Sequence, residues 1–155
     1  MQYLILKSLH VLAVVLFLGN IITGVFWKFH ADRMADLRAR EVAIAGIIRS
    51  DRWFTMPGVT VIIATGLWMA IGAHMPLLRT KWILWGIILF GISGVCFGAR
   101  VAPLQKQLLA NVRAGICGHW DPAEYQRLSR GWEIWGGVAT LAPVIALFLM
   151  VMKPA

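Results

Sequence analysis

Charged residues and cysteines are both scarce in this chain of 155 residues. Only 14% of the residues are charged and 59% are apolar, whereas about 25% of residues are charged in soluble domains. The two cysteines, Cys96 and Cys117, fall on different predicted elements and provide no disulfide framework. The composition excludes an ordinary soluble domain and is typical of an integral membrane protein.

Several catalytic signatures are also missing. The sequence has no glycine-rich phosphate loop, no pair of acids inside an apolar run, and no serine or cysteine nucleophile with a base nearby. These absences argue against an NTPase, a hydrolase and a proton-coupled transporter. Because there is also no internal repeat and no proline-rich linker, a single domain accounts for residues 1–155.

Four long segments carry no Asp, Glu, Lys or Arg, at residues 8–27, 53–78, 82–99 and 134–152. A bilayer core of ~30 Å is crossed by ~20 helical residues, so each segment can cross once. We therefore predict an all-α integral membrane bundle of four helices. The spans are expected at about residues 4–28, 53–74, 81–102 and 132–152, and the long loops at 29–52 and 103–131.

The net charge of +8 is concentrated on one side of these spans. All but four of the 15 Lys and Arg residues lie in or beside the two long loops, and the exceptions are Lys7, Arg79, Lys81 and Lys153. By the positive-inside rule, the long loops are cytoplasmic and both termini lie on the outer, periplasmic side. This pattern favours the bacterial inner membrane and gives no support to nucleic acid binding.

Both long loops contain predicted helical segments. Residues 31–52 carry an apolar stripe and are expected to form an amphipathic helix, either continuing the first span or lying on the membrane surface. Asp121 and Pro122 are typical of a helix start, and we predict a short helix at residues 121–130 that ends at Gly131. In the third span, Gly94 and Gly98 have the spacing that lets another helix or a flat ligand approach closely.

His10 is the residue that most strongly indicates a functional site. It lies in the first apolar run, and an ionisable side chain inside a membrane span is costly and usually functional. His74, at the outer end of the second span, is expected on the same side of the membrane. The alternative for His10 is a hydrogen bond to a neighbouring helix, and the alternative for His74 is a place in an exposed turn.

The outer end of the predicted bundle combines nitrogen ligands with cations. Haem iron takes axial histidine, and the haem carboxylates need basic partners. We therefore predict a haem b site in which His10 is the axial ligand, either five-coordinate or completed by His74 or Met69. The cations expected to contact the carboxylates are Lys7, Arg79 and Lys81.

Several short motifs also resemble those of known membrane families. They are residues 6–12 (LKSLHVL) followed by Gly19, residues 54–58 (FTMPG) with Thr65-Gly66, and the ending 149–154 (LMVMKP). Over essentially its whole length the chain resembles the bacterial integral membrane family of domain of unknown function 2269. More distantly, it is similar to HemJ-type protoporphyrinogen oxidases and to the membrane domain of copper resistance protein D.

The HemJ resemblance implies haem b binding by His10 and maps the lysine of the third span onto Lys81. The chain departs from HemJ proteins in its third span, at residues 82–99, which is rich in glycine and has no histidine. The copper resistance resemblance implies a different site, in which copper or another small cation is held by His10, His74, Met69 and Met75.

Together these features predict a haem b-binding inner-membrane protein that acts in electron transfer or haem-dependent redox chemistry. The alternatives are a HemJ-like protoporphyrinogen oxidase, which would make the protein an oxidoreductase, a copper-handling or cation-handling protein, and a structural membrane protein without a cofactor. We expect contact with membrane lipid, a quinone or other redox partner, and a homodimer.

Overall fold

A computed structural model describes residues 1–153, and every regular element within them is helical. The helices form four continuous helical segments, which we call rods, that are long and apolar enough to cross a membrane. They are Gln2–Asp32, Leu37–Gly72, Lys81–Ile116 and Pro122–Met152. The predicted all-α integral membrane bundle of four helices is therefore confirmed. The helices are α1 (Gln2–Asp32), α2 (Leu37–Ser50), α3 (Met56–Gly72), α4 (Lys81–Cys96), α5 (Ala102–Ile116) and α6 (Pro122–Met152).

Two of the four rods are each built from two α-helices joined by a π-helical turn. Asp51–Thr55 joins α2 to α3, and Phe97–Val101 joins α4 to α5. A proline follows each turn closely, Pro57 in the first rod and Pro103 in the second. Proline has no N–H and its ring crowds the carbonyl four residues earlier, so a wider turn at that point relieves the clash.

The rods pack differently at their two ends. Following the predicted topology, we call the end that holds Gln2 and Met152 the outer end and the opposite end the inner end. Towards the outer end, α1 packs on α3 and α4 packs on α6, while no Cα of α3 lies within 8 Å of α4 or α6. The two pairs meet through the rings of Phe17 and Phe90, whose centroids are 5.6 Å apart.

The main apolar core lies at the inner end. There α2, α5 and the first turns of α6 pack together around a buried set of side chains, Ile44, Val101, Leu108, Val112, Tyr125, Leu128 and Trp132. Around the rest of the rods, large apolar side chains are exposed on the outer surface. Such a surface is suited to lipid contact, because burying these side chains among acyl chains removes them from water.

One of the two alternatives predicted for residues 31–52 and the predicted helix end at Gly131 are wrong. The segment at 31–52 does not continue the first span, because the chain turns after α1 and Asp36 caps a new helix by accepting a hydrogen bond from the Arg38 N–H. This helix, α2, leads into the second span instead. Gly131 does not end a short helix either, since α6 runs without interruption from Pro122 to Met152. A single glycine costs only ~1 kcal/mol in a helix, which packing against Leu104 can offset.

The prediction that Asp121 and Pro122 start a helix is confirmed. Asp121 is the N-cap of α6, and its carboxylate accepts a hydrogen bond of 2.9 Å from the Glu124 N–H. Gly94 and Gly98, in contrast, do not bring another part of this chain close. A Cβ added at either position meets no heavy atom within 4 Å.

Candidate functional site

The imidazole of His10 faces α3 and is hydrogen-bonded to it. Its Nδ1 lies 2.9 Å from the hydroxyl oxygen of Thr65, which is buried. That hydroxyl donates its one proton to the backbone carbonyl of Val61, one helical turn earlier, over 2.5 Å. The Thr65 oxygen must therefore accept from His10, which places the ring proton on Nδ1.

This arrangement leaves the other ring nitrogen of His10 free. With a proton on Nδ1, Nε2 carries a lone pair, and the side-chain hydrogen bond to Thr65 is made by Nδ1. The ring is half-buried, so it is not sealed inside the bundle. A metal-ligating histidine is usually a neutral imidazole that binds the metal through one ring nitrogen and donates a hydrogen bond from the other.

Gly66 makes the space in which the His10 ring lies. A Cβ added to Gly66 lies 3.2 Å from Cε1 of His10 and 3.6 Å from Nδ1. A Cβ at this position therefore requires the His10 ring to shift by a few tenths of an ångström, and a larger side chain requires a larger shift. Thr65 and Gly66 together fix both the tautomer and the position of the imidazole.

The other predicted ligands lie further out. Met69 follows Thr65 by one turn on the same helix, roughly 6 Å outward, and is half-buried. His74 lies in the turn after α3 with a φ of 54° and is exposed. It follows Thr65 by nine residues, and the last two of these lie beyond the end of α3 at Gly72. The structure brings His10 to Thr65 and Gly66, and not to His74.

The predicted cations lie at the outer end of the rods. Lys7 precedes His10 by one turn of α1, and Arg79 and Lys81 flank the N-cap of α4, Thr80. All three side chains are exposed, and none forms an ion pair within the described part of the chain. They remain available to carboxylates or lipid phosphates at the membrane surface.

A polar cluster that the sequence did not reveal surrounds Lys28 at the inner end. The Lys28 side chain is only 3% exposed, and its ammonium contacts the Asp32 carboxylate and, at 2.8 Å, the Ser129 hydroxyl. The Tyr125 hydroxyl donates to Asp32, and the rings of Tyr125 and Trp132 lie within about 5.5 Å of the ammonium. This Lys28 cluster ties the end of α1 to α6.

A second unforeseen cluster surrounds Asp51, in the π-helical turn of the second rod. Its carboxylate accepts hydrogen bonds from Asn20 at 3.2 Å, from Thr55 at 2.9 Å and from Gln105 at 2.9 Å. Asn20 belongs to α1 and Gln105 to α5, so this Asp51 cluster joins three rods. The sequence placed Asp51 in a cytoplasmic loop, where its neighbours could not be identified.

One family model matches the chain, over residues 4–154, and it is described as predicted integral membrane protein (DUF2269). The chain belongs to the DUF2269 family. No curated protein and no solved structure compared with it matches. The family description agrees with the four membrane-crossing rods and assigns no ligand or reaction to the His10 site.

In this DUF2269 protein, no three His, Cys, Asp or Glu side chains within residues 1–153 come together to hold a metal ion. Cys117 and His119 are exposed at the turn before α6, and the His30 ring stacks on Phe26 at the surface. In the sequence, the signal for the His10 site was His10 itself, an imidazole inside an apolar run, and the part played by Thr65 and Gly66 was not predicted.

Proposed function

We propose that the protein binds haem b near its outer face through Nε2 of His10 and acts in electron transfer or haem-dependent redox chemistry. The observation that carries the proposal is the hydrogen bond between His10 and Thr65. It fixes the Nδ1–H tautomer in a membrane span, and that tautomer presents the lone pair an axial haem ligand needs.

The surroundings of His10 fit a porphyrin better than a bare metal ion. A haem supplies four ring nitrogens to its iron and takes only one or two ligands from the protein, as a lone histidine requires. Gly66 leaves room for the His10 ring beside α3, and Lys7 lies one turn nearer the membrane surface, where haem carboxylates are solvated. Met69 is the side chain on the Thr65 face that could complete six-coordination.

The protein's own contribution is to position and shield the site. When bound, haem supplies one-electron redox chemistry at its iron. Thr65 holds the imidazole in one orientation and increases its basicity through the Nδ1–H bond. Further in, Ala13, Phe17, Ile62 and Phe90 form an apolar layer between His10 and the Lys28 and Asp51 clusters at the inner end.

Haemin titration of the purified protein tests the proposal. We expect the wild type to bind one haem with a sharp Soret band, and His10→Gly to lose the band. Imidazole added to His10→Gly should restore it, because the free ligand can occupy the vacated space. His30→Ala is the matched control, since His30 lies exposed at the inner end of the same helix, and it should bind as the wild type does. Equal binding by wild type and His10→Gly would reject the proposal.

A further inference from the structure

Asp51 is a buried acid that the haem site does not use. It is 8% exposed, and its three hydrogen-bond donors, Asn20, Thr55 and Gln105, are all uncharged. None of the ion pairs within residues 1–153 includes it. A buried carboxylate without a cation is costly, and binding a proton is the simplest way to neutralise it.

We propose that Asp51 is a proton-binding site that exchanges protons with the inner, cytoplasmic side of the membrane. The ligand is the proton itself, and the site works whether or not haem is bound. The proposed haem site lies on one side of the apolar layer, and Asp51 lies on the other. Asp51 would take up and release protons there.

The neighbours of Asp51 can satisfy both of its protonation states. The ionised carboxylate accepts from two amides and one hydroxyl, as the structure shows. The neutral acid needs one acceptor for its own proton. The amides of Asn20 and Gln105 each carry a carbonyl oxygen that a rotation of the group presents to Asp51, and the Thr55 oxygen can also accept.

The position of Asp51 determines the side from which protons reach it. The apolar layer at Phe17 and Phe90 lies between it and His10. On the inner side, Gln105 borders a gap too narrow for a water molecule, which it shares with Lys28 and Trp132. The Trp132 indole N–H is buried and has no hydrogen-bond partner within residues 1–153. Beyond Lys28, the Ser129 hydroxyl lies 3.1 Å from the exposed carboxylate of Glu133.

The charged groups around the site are few. The elements that contact Asp51 present Asn20 from α1, Thr55 from its own turn and Gln105 from α5, none of which titrates. Lys28 borders the gap, with Asp32 and Glu133 behind it. Arg52 and Lys106, the chain neighbours of Asp51 and Gln105, are exposed.

Infrared spectroscopy of the protein in liposomes tests the proposal by pH titration. The difference spectrum, wild type minus Asp51→Asn, should contain a protonated-carboxyl band. This band should grow as the pH falls from about 8 to about 5. The band should survive in Asp32→Asn, which alters the half-buried acid of the Lys28 cluster, and in His10→Ala, which removes the proposed haem ligand. Absence of the band across this range would overturn the proposal.

A second variant provides an independent test if Asp51→Asn does not fold. Gln105→Leu removes one donor to the ionised carboxylate, so the midpoint of the titration should rise by about one pH unit. An unchanged midpoint would contradict a proton-binding Asp51. Replacing sodium chloride by choline chloride should leave the wild-type midpoint unchanged, and a sodium-dependent midpoint would overturn the proposal in favour of a cation site.

Discussion

Thr65 is the residue on which the orientation of His10 depends. Thr65→Val keeps the size and shape of the side chain but removes the oxygen that accepts from Nδ1. We expect haem affinity to fall about tenfold. Losing the hydrogen-bond partner that orients a metal ligand typically lowers metal affinity by about 10- to 100-fold. Haemin titration measures the change.

Thr60→Val is the matched control for Thr65→Val. Thr60 lies on the same helix, is exposed, and hydrogen-bonds only the carbonyl of Met56 one turn earlier. This variant should bind haem as the wild type does. Equal losses in the two variants would show that threonine in α3 matters for helix stability and not for the His10 ring.

Lys28 is the residue of the inner end whose replacement should lower the free energy of unfolding most. Lys28→Ala leaves the Asp32 carboxylate without its buried cation and should lower the free energy of unfolding by about 3 kcal/mol. Thermal unfolding in detergent, followed by helical circular dichroism, measures the loss. Arg127→Ala breaks an exposed pair with Glu124 and should leave the unfolding temperature unchanged. Equal effects of the two variants would contradict the buried role of Lys28.

Among the helices, the end of α5 depends on a close approach at Gly115. A Cβ there lies 2.6 Å from Cε3 of Trp120 and 3.0 Å from Cδ1 of Leu37. Gly115→Ala should therefore push Trp120 and the start of α2 away, with a loss of about 1–3 kcal/mol in the free energy of unfolding.

Gly46→Ala is the control for Gly115→Ala. Gly46 lies inside α2, and a Cβ there meets no heavy atom within 4 Å. Because alanine favours helix over glycine, this variant should unfold at the same temperature or higher. If Gly115→Ala and Gly46→Ala unfolded at the same temperature, the close packing of Trp120 against α5 would be contradicted.

The helices were predictable from sequence to different degrees. The runs without charge revealed the four rods, because no water is available to solvate charges inside a bilayer. The cap at Asp121 was visible because it acts on local N–H groups. The stripe at 31–52 could not show which span it joins, since an apolar face fits either neighbour.

The residues of the site were less predictable. His10 stood out as an imidazole in an apolar run, but Thr65 is 55 residues away and Ser129 is 101 residues from Lys28. Contacts over such distances depend on how the rods are rotated and how far each is shifted along its axis. A hydropathy pattern specifies neither, so the Lys28 and Asp51 clusters could not be predicted.

For the whole molecule, the charge distribution predicts that the turn between α5 and α6 is cytoplasmic. Cys117 lies exposed in that turn, so a membrane-impermeant maleimide should label it in inverted vesicles and not in intact spheroplasts. A cysteine introduced as Ala73→Cys in a Cys117→Ser background should show the opposite pattern. Labelling of Cys117 from outside would reverse the topology and move His10 to the cytoplasmic side.

The absorption spectrum of the purified protein is the most direct test of the haem proposal. Protein isolated from haem-sufficient cells should show a Soret band that shifts on reduction with dithionite, and His10→Ala prepared in parallel should be colourless. His74→Ala should keep the band, because His74 lies in the exposed turn after α3, nine residues beyond Thr65. A colourless wild-type protein, or a His10→Ala variant with an unchanged spectrum, would contradict haem binding at His10.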